Sequence, residues 1–144
     1  MPLWLLRFTA ALAASLLVAA AAGCGLEVQQ PDLFLLTRTG EGQKLTVLVN
    51  SGGTVRCDGS RAKQVPDKLL LQARDLTGAL NRDARHHLHF VPGPGSVFRY
   101  RVELQDGTIV FPDTAARTHP ALAQLELLAV RIAQGPCHRV AGSS

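Results

Sequence analysis

Asp106-Gly107 stands between two alternating runs, and this restricts folding more than any other feature of the sequence. Before it, Phe98, Tyr100, Val102 and Leu104 alternate with Arg99, Arg101, Glu103 and Gln105; after it, Ile109 and Phe111 resume the pattern. Alternation with period two describes a strand with one buried and one wet face, and Asp-Gly supplies the positive φ that a two-residue hairpin turn needs. The expected register pairs Leu104 with Ile109 and Val102 with Phe111, all on one face. Such a hairpin is marginal alone in water and requires more strands and a covering layer.

The rest of the chain supplies both. Leu33 to Thr37 is an apolar run before Gly40 and Gly42, which predicts a strand and a turn. Leu45, Val47 and Val49 alternate with polar or flanking residues up to Ser51-Gly52-Gly53, and Val55 and Cys57 follow. A three-residue loop there sets Val49 opposite Val55 and Val47 opposite Cys57, so Cys57 faces inward. Pro66 opens a stretch in which Leu69, Ala73, Leu76 and Leu80 recur at helical spacing, with Lys68, Gln72, Arg74, Asp75 and Arg82 on the other side. Pro92-Gly93-Pro94-Gly95 then breaks the chain. Pro120 opens a second helix with a stripe of Leu122, Leu125, Ala129 and Ile132, stopped by Gly135-Pro136. The order is βββαββα. Its simplest closure is an α+β two-layer sandwich, in which an antiparallel sheet of about five strands carries two helices on one face and leaves the other wet. At 144 residues the chain has room for about one domain, which excludes two-domain enzymes and full-size cofactor folds.

The N-terminus carries an address. Arg7 precedes an uncharged run of 15 residues, Phe8 to Ala22, that ends in the small residues Ala20-Ala21-Ala22-Gly23. This is the layout of a secretory signal peptide, and it falls short of the roughly 20 residues that span a bilayer. Cys24 follows at once, and Ala21-Ala22-Gly23-Cys24 resembles a bacterial lipobox, with Ala21 where Leu is usual. The resemblance implies acylation of Cys24 and attachment to the extracytoplasmic face of the cell membrane; cleavage without lipid, or an uncleaved anchor, are the alternatives. The expected organisation is a signal peptide over residues 1–23, a lipidated cysteine and tether over 24–31, one α+β domain over 32–140 and a tail over 141–144. After the leader, Cys57 and Cys137 are the remaining cysteines besides Cys24, and an oxidising compartment favours a structural disulfide between them.

Chemistry-bearing residues are few. His86, His87 and His89 form His-His-x-His, a donor set for zinc or copper, yet the spacing does not put three rings on one helix face and no acid or cysteine stands beside them at zinc-site spacing. His86 and His87 suit the negative end of a helix dipole. Gly-x-Ser-x-Gly is absent, the serines fall in expected turns or the tail, and Gly52-Gly53 lacks the Lys and Ser or Thr of a phosphate loop. No catalytic residue, cofactor or metal is therefore assigned. The formal charge of +4 is mild and its basic residues are interleaved with acids, which is no footprint for nucleic acid. Arg99 and Arg101 form a row on the outer sheet face that Arg38 and Arg56 are expected to join from neighbouring strands. Such a row is either a solvated face or a surface for the carboxylates of a protein partner or for anionic lipid heads.

Two family resemblances follow. The leader, Cys24, Thr37-Arg38-Thr39-Gly40, Gly52 to Cys57, Pro92 to Gly95, Phe98 to Val102, Leu104 to Thr108 and Cys137 together resemble small lipoproteins of actinobacteria with no assigned activity. Thr37-Arg38-x-Gly40, Phe98-x-Tyr100, Asp106-Gly107, Phe111-x-Asp113 and Pro120-x-Leu122 are similar to emfourin-type inhibitors of thermolysin-like metallopeptidases, although Gly40-Glu41-Gly42 replaces that family's Gly-Gly pair and the cysteine pair is extra. These resemblances imply a membrane-anchored protein-binding or inhibitor-like module, with a secreted peptidase as partner, and no enzyme. The alternative function is a small metal-binding or metal-dependent hydrolytic protein using His86, His87 and His89.

Overall fold

The computed structural model describes residues 32–139. The expected signal peptide, Cys24, the tether and the tail over 141–144 lie outside the described residues. Along the chain come β1 (Asp32–Gly40), β2 (Gln43–Asn50), β3 (Thr54–Cys57), β4 (Lys63–Gln64), α1 (Asp67–Arg85), β5 (Arg99–Leu104), β6 (Gly107–Pro112), a 3-10 turn (Asp113–Arg117) and α2 (Pro120–Gln134). The strands form one antiparallel sheet in the order β4-β3-β2-β1-β5-β6.

One core joins the layers. The sheet contributes Phe34, Leu36, Leu45, Val47, Val49, Val55, Cys57, Tyr100, Val102, Leu104, Ile109 and Phe111; α1 contributes Leu70, Ala73, Leu76 and Leu80, and α2 contributes Leu122, Leu125, Leu128, Ala129 and Ile132. Both helices thus cover the same face, and the α+β two-layer architecture is as the alternation requires. The second hairpin keeps its expected register, with Val47 opposite Cys57 and Val49 opposite Val55. A sixth strand, β4, goes beyond the expected five. Lys63 and Gln64 have no apolar alternation, and they join the sheet only through backbone pairing with Val55 and Thr54.

The β5–β6 hairpin is shifted by two residues from the expected register. Leu104 pairs with Gly107, Val102 with Ile109 and Tyr100 with Phe111, so the turn is Gln105-Asp106 and not Asp106-Gly107. Only Gly107 has positive φ there, at 144°. The cause lies in α1: the Asp106 amide donates to Asn81 Oδ1 at 3.2 Å, Arg85 pairs with the Asp106 carboxylate, and a Cβ on Gly107 would stand 3.5 Å from the Ala84 carbonyl. A shift of two preserves side-chain parity, and every apolar residue of the hairpin still faces the core.

Cys57 and Cys137 form a disulfide, with Cα atoms 5.8 Å apart across 80 residues of sequence. Arg139 pairs with Asp58 beside it, and Asp58 accepts from the Thr46 amide at 2.8 Å, so the exit of α2 is tied to the second hairpin. Among the described residues no helix is long and apolar enough to cross a membrane.

Candidate functional site

Strand pairing fixes which side chains share the outer face, because directly opposed residues point the same way. Three rows cross it. One runs Arg56, Leu48, Leu35, Glu103, Thr108; the next runs Thr46, Thr37, Arg101, Val110; the third runs Lys44, Thr39, Arg99, Pro112. Leu35 is only 4% exposed, so the outer face is not uniformly wet as expected; its first row is apolar in the middle and the arginines lie beyond it.

Arg99 and Arg101 are exposed and stand on one strand two residues apart, about 7 Å at the rise of a β-strand. Between them and Thr37, Thr39 and Val110 lies a shallow hollow of about 220 Å³. Arg101 Nε donates to Glu103 Oε1 at 2.9 Å, whereas Arg99, Lys44 and Arg56 form no ion pair among the described residues. Arg56 faces the same side but stands two rows and three strands from Arg99, roughly 20 Å at ordinary strand spacings. Lys44, which the sequence reading did not single out, is closer and takes that place in the group.

Arg38 does not join the row. It pairs with Leu45 and Tyr100, both core residues, and therefore faces the helices. Leu36 already fixes that parity two residues earlier. The charge is accommodated because the guanidinium lies over the Phe98 ring, 4.9 Å from its centroid, and hydrogen-bonds Tyr100.

Arg38 belongs to a polar group that alternation alone does not reveal. Burial raises the Tyr100 hydroxyl above its ordinary range, Glu126 adds to this, and Arg38 opposes it. Glu126 Oε1 is buried without a hydrogen-bond partner among the described residues; burial, and then the Asp113 carboxylate, push this acid up to about 7. Asp113 is held below its ordinary value. Its burial would raise it, but the Val97 amide, the Ser96 hydroxyl and the Phe98 and Thr114 amides together outweigh that. With Val97 and Phe98 donating at 3.0 and 3.2 Å and Ser96 at 2.8 Å, Asp113 clamps the loop that enters β5.

The histidines are spread along the end of α1. His86 caps the helix, its amide donating to the Asp83 carbonyl at 3.1 Å, and His87 takes the left-handed conformation, φ 49°, that ends it. His86, His87 and His89 are all exposed, and among the described residues no three His, Cys, Asp or Glu side chains are grouped to hold a metal. No family model, curated protein or solved structure matches this chain. The functional reading therefore rests on the residues.

What the outer face offers chemically is cationic hydrogen bonding on a rigid support. Two guanidiniums and one ammonium project from three adjacent paired positions, with the Thr37 and Thr39 hydroxyls between them. Backbone pairing fixes where these side chains start, with Lys44 paired on one side and Arg99 and Arg101 on both, and the exposed side chains order when an acidic group docks. Guanidinium suits a carboxylate because its planar fork matches the two oxygens.

Proposed function

We propose that this protein is a membrane-anchored extracytoplasmic binding module whose outer sheet face takes a carboxylate-rich segment of a protein partner. One observation carries the reading: Arg99 and Lys44 flank Thr39 in one row with no ion pair among the described residues, and Arg99 and Arg101 line a concave patch beside them. The lipobox-like Ala21-Ala22-Gly23-Cys24 supports the anchor, and two or three acyl chains at about 0.8 kcal/mol per buried methylene hold a domain of this size on a bilayer. The likeness to metallopeptidase inhibitors supports a secreted peptidase as the class of partner.

Two measurements test it. Expressed in a bacterium that processes lipoproteins, the wild-type chain fractionates with membranes and Cys24→Ser releases it or stalls its processing; unchanged membrane association of Cys24→Ser contradicts the anchor. For the surface, equimolar inhibition of thermolysin is measured with wild type and with Arg99→Glu/Arg101→Glu. The reading predicts inhibition that falls about tenfold in the double variant and weakens with salt. Inhibition indifferent to both substitutions removes the arginine face from the interface.

A further inference from the structure

A second concavity opens at the entrance to β5, beside the edge strand β6, and the hollow between the arginines shares Thr39, Arg99 and Val110 with it. It encloses about 420 Å³, toward the lower end of the roughly 300–1,000 Å³ typical of ligand sites, a size suited to one ring and its attachments. Phe90, Phe98 and Phe111 line it, with Val97 at the lip, and its lining includes Arg99 and His89 but no acid.

Each wall is held from behind. Phe111 stacks on Tyr100 with centroids 5.1 Å apart, Phe90 meets Phe111 and His119 edge-on at 6.3 and 5.5 Å, and Phe98 lies beneath the Arg38 guanidinium. The lip is fixed by Asp113, which accepts from Ser96, Val97 and Phe98. Gly40 lets the backbones approach so closely that a Cβ there would lie 2.4 Å from the Val97 carbonyl oxygen. Val97, 47% exposed, adds apolar surface to this lining.

We infer that this cleft is an anchor pocket for an aromatic side chain of the protein partner, seated so that a carboxylate beside it in the partner's chain reaches Arg99. The inference rests on the proposed carboxylate-binding face and names what that face selects: an aromatic residue next to an acidic one. Phe111 belongs to the core and is 1% exposed, so an inserted ring meets the partly exposed Phe90 and Phe98, which favour it through edge contacts. Arg99 is the one charged guanidinium of the lining, so it favours an anion and repels a cationic peptide that carries the same ring. Aromatic anchors in preformed pockets carry a disproportionate share of interface energy.

The test uses the purified full-length protein and three capped tripeptides, acetyl-Glu-Phe-Glu-amide, acetyl-Glu-Ala-Glu-amide and acetyl-Lys-Phe-Lys-amide, with affinities read from amide shifts in NMR titrations. Glu-Phe-Glu is expected to move the Val97, Phe98 and Phe111 amides and to bind about tenfold more tightly than either other peptide. Val97→Trp fills the cleft without changing charge, and it should abolish the advantage of Glu-Phe-Glu over Glu-Ala-Glu while leaving Glu-Ala-Glu binding as it was. Equal affinity for the two acidic peptides in wild type overturns the pocket and leaves the arginine face standing. Equal affinity for Lys-Phe-Lys and Glu-Phe-Glu overturns the carboxylate contact and the face reading with it.

Discussion

Glu126 shows how a single side chain can set a pH dependence. It sits on α2 four residues after Leu122 and three before Ala129, on the side that meets the sheet, yet it carries an acid. With its pKa raised to about 7 from an ordinary 4.5, the folded state holds a proton that the unfolded state has already released over that interval. Stability contributed by this group is therefore fully present below about pH 4.5, falls as pH rises toward 7 and is flat above. Because Glu126 is only partly buried, the loss is on the order of 1 kcal/mol after allowance for solvent screening. Glu126→Gln should remove that fall, giving a higher melting temperature than wild type at pH 8 and near-equality at pH 4. A denaturation series across that range decides it; parallel pH profiles for the two proteins would show that the acid is already ionised when folded. Asp113 has the opposite sign. Held low by its four donors, it contributes stability above its unfolded value near 3.8 and loses it at lower pH.

At the scale of elements, the disulfide links the third strand to the exit of the last helix. The chain-entropy relation assigns about 4.5 kcal/mol to a loop of 80 residues. Cys57→Ala/Cys137→Ala should lose several kcal/mol in chemical denaturation, and each single variant nearly as much while exposing one free thiol. Additive single losses would mean that the two cysteines act separately. Much of this level was legible beforehand: the inward Cys57 follows from a three-residue loop, and both helices follow from Pro66, Pro120 and their stripes. The turn at Gln105-Asp106 was not, because its position depends on Asn81, Ala84 and Arg85, remote in sequence. Nor was β4, which has no side-chain pattern. Arg38 was misplaced for a different reason. Its charge suggested the wet face although Leu36 two residues earlier fixed the other, and the Phe98 ring beneath it with the Tyr100 hydroxyl explains the exception. The acids Asp113 and Glu126 left weaker traces, one after a strand-ending proline and one inside an apolar stripe.

For the molecule as a whole, the two faces of the sheet divide the work. The helices and the disulfide consolidate one, and the other presents Lys44, Arg99 and Arg101 at its exposed positions. A membrane tether at the N-terminus would present that face at high local concentration to whatever passes the cell surface. The arginine row, the small hollow and the aromatic cleft then form one continuous surface from β2 across β1 and β5 to β6. The proposed function requires of it a preference for carboxylates at defined positions, and amide mapping reads this most directly. Titration of the full-length protein with an extended peptide of alternating Glu and Ser is predicted to shift the Thr37, Thr39, Arg99 and Arg101 amides, with the shifts lost in Arg99→Gln/Arg101→Gln and in roughly 0.5 M salt. Shifts that cluster on α1 and α2, or that persist in the double variant, would contradict the proposed function.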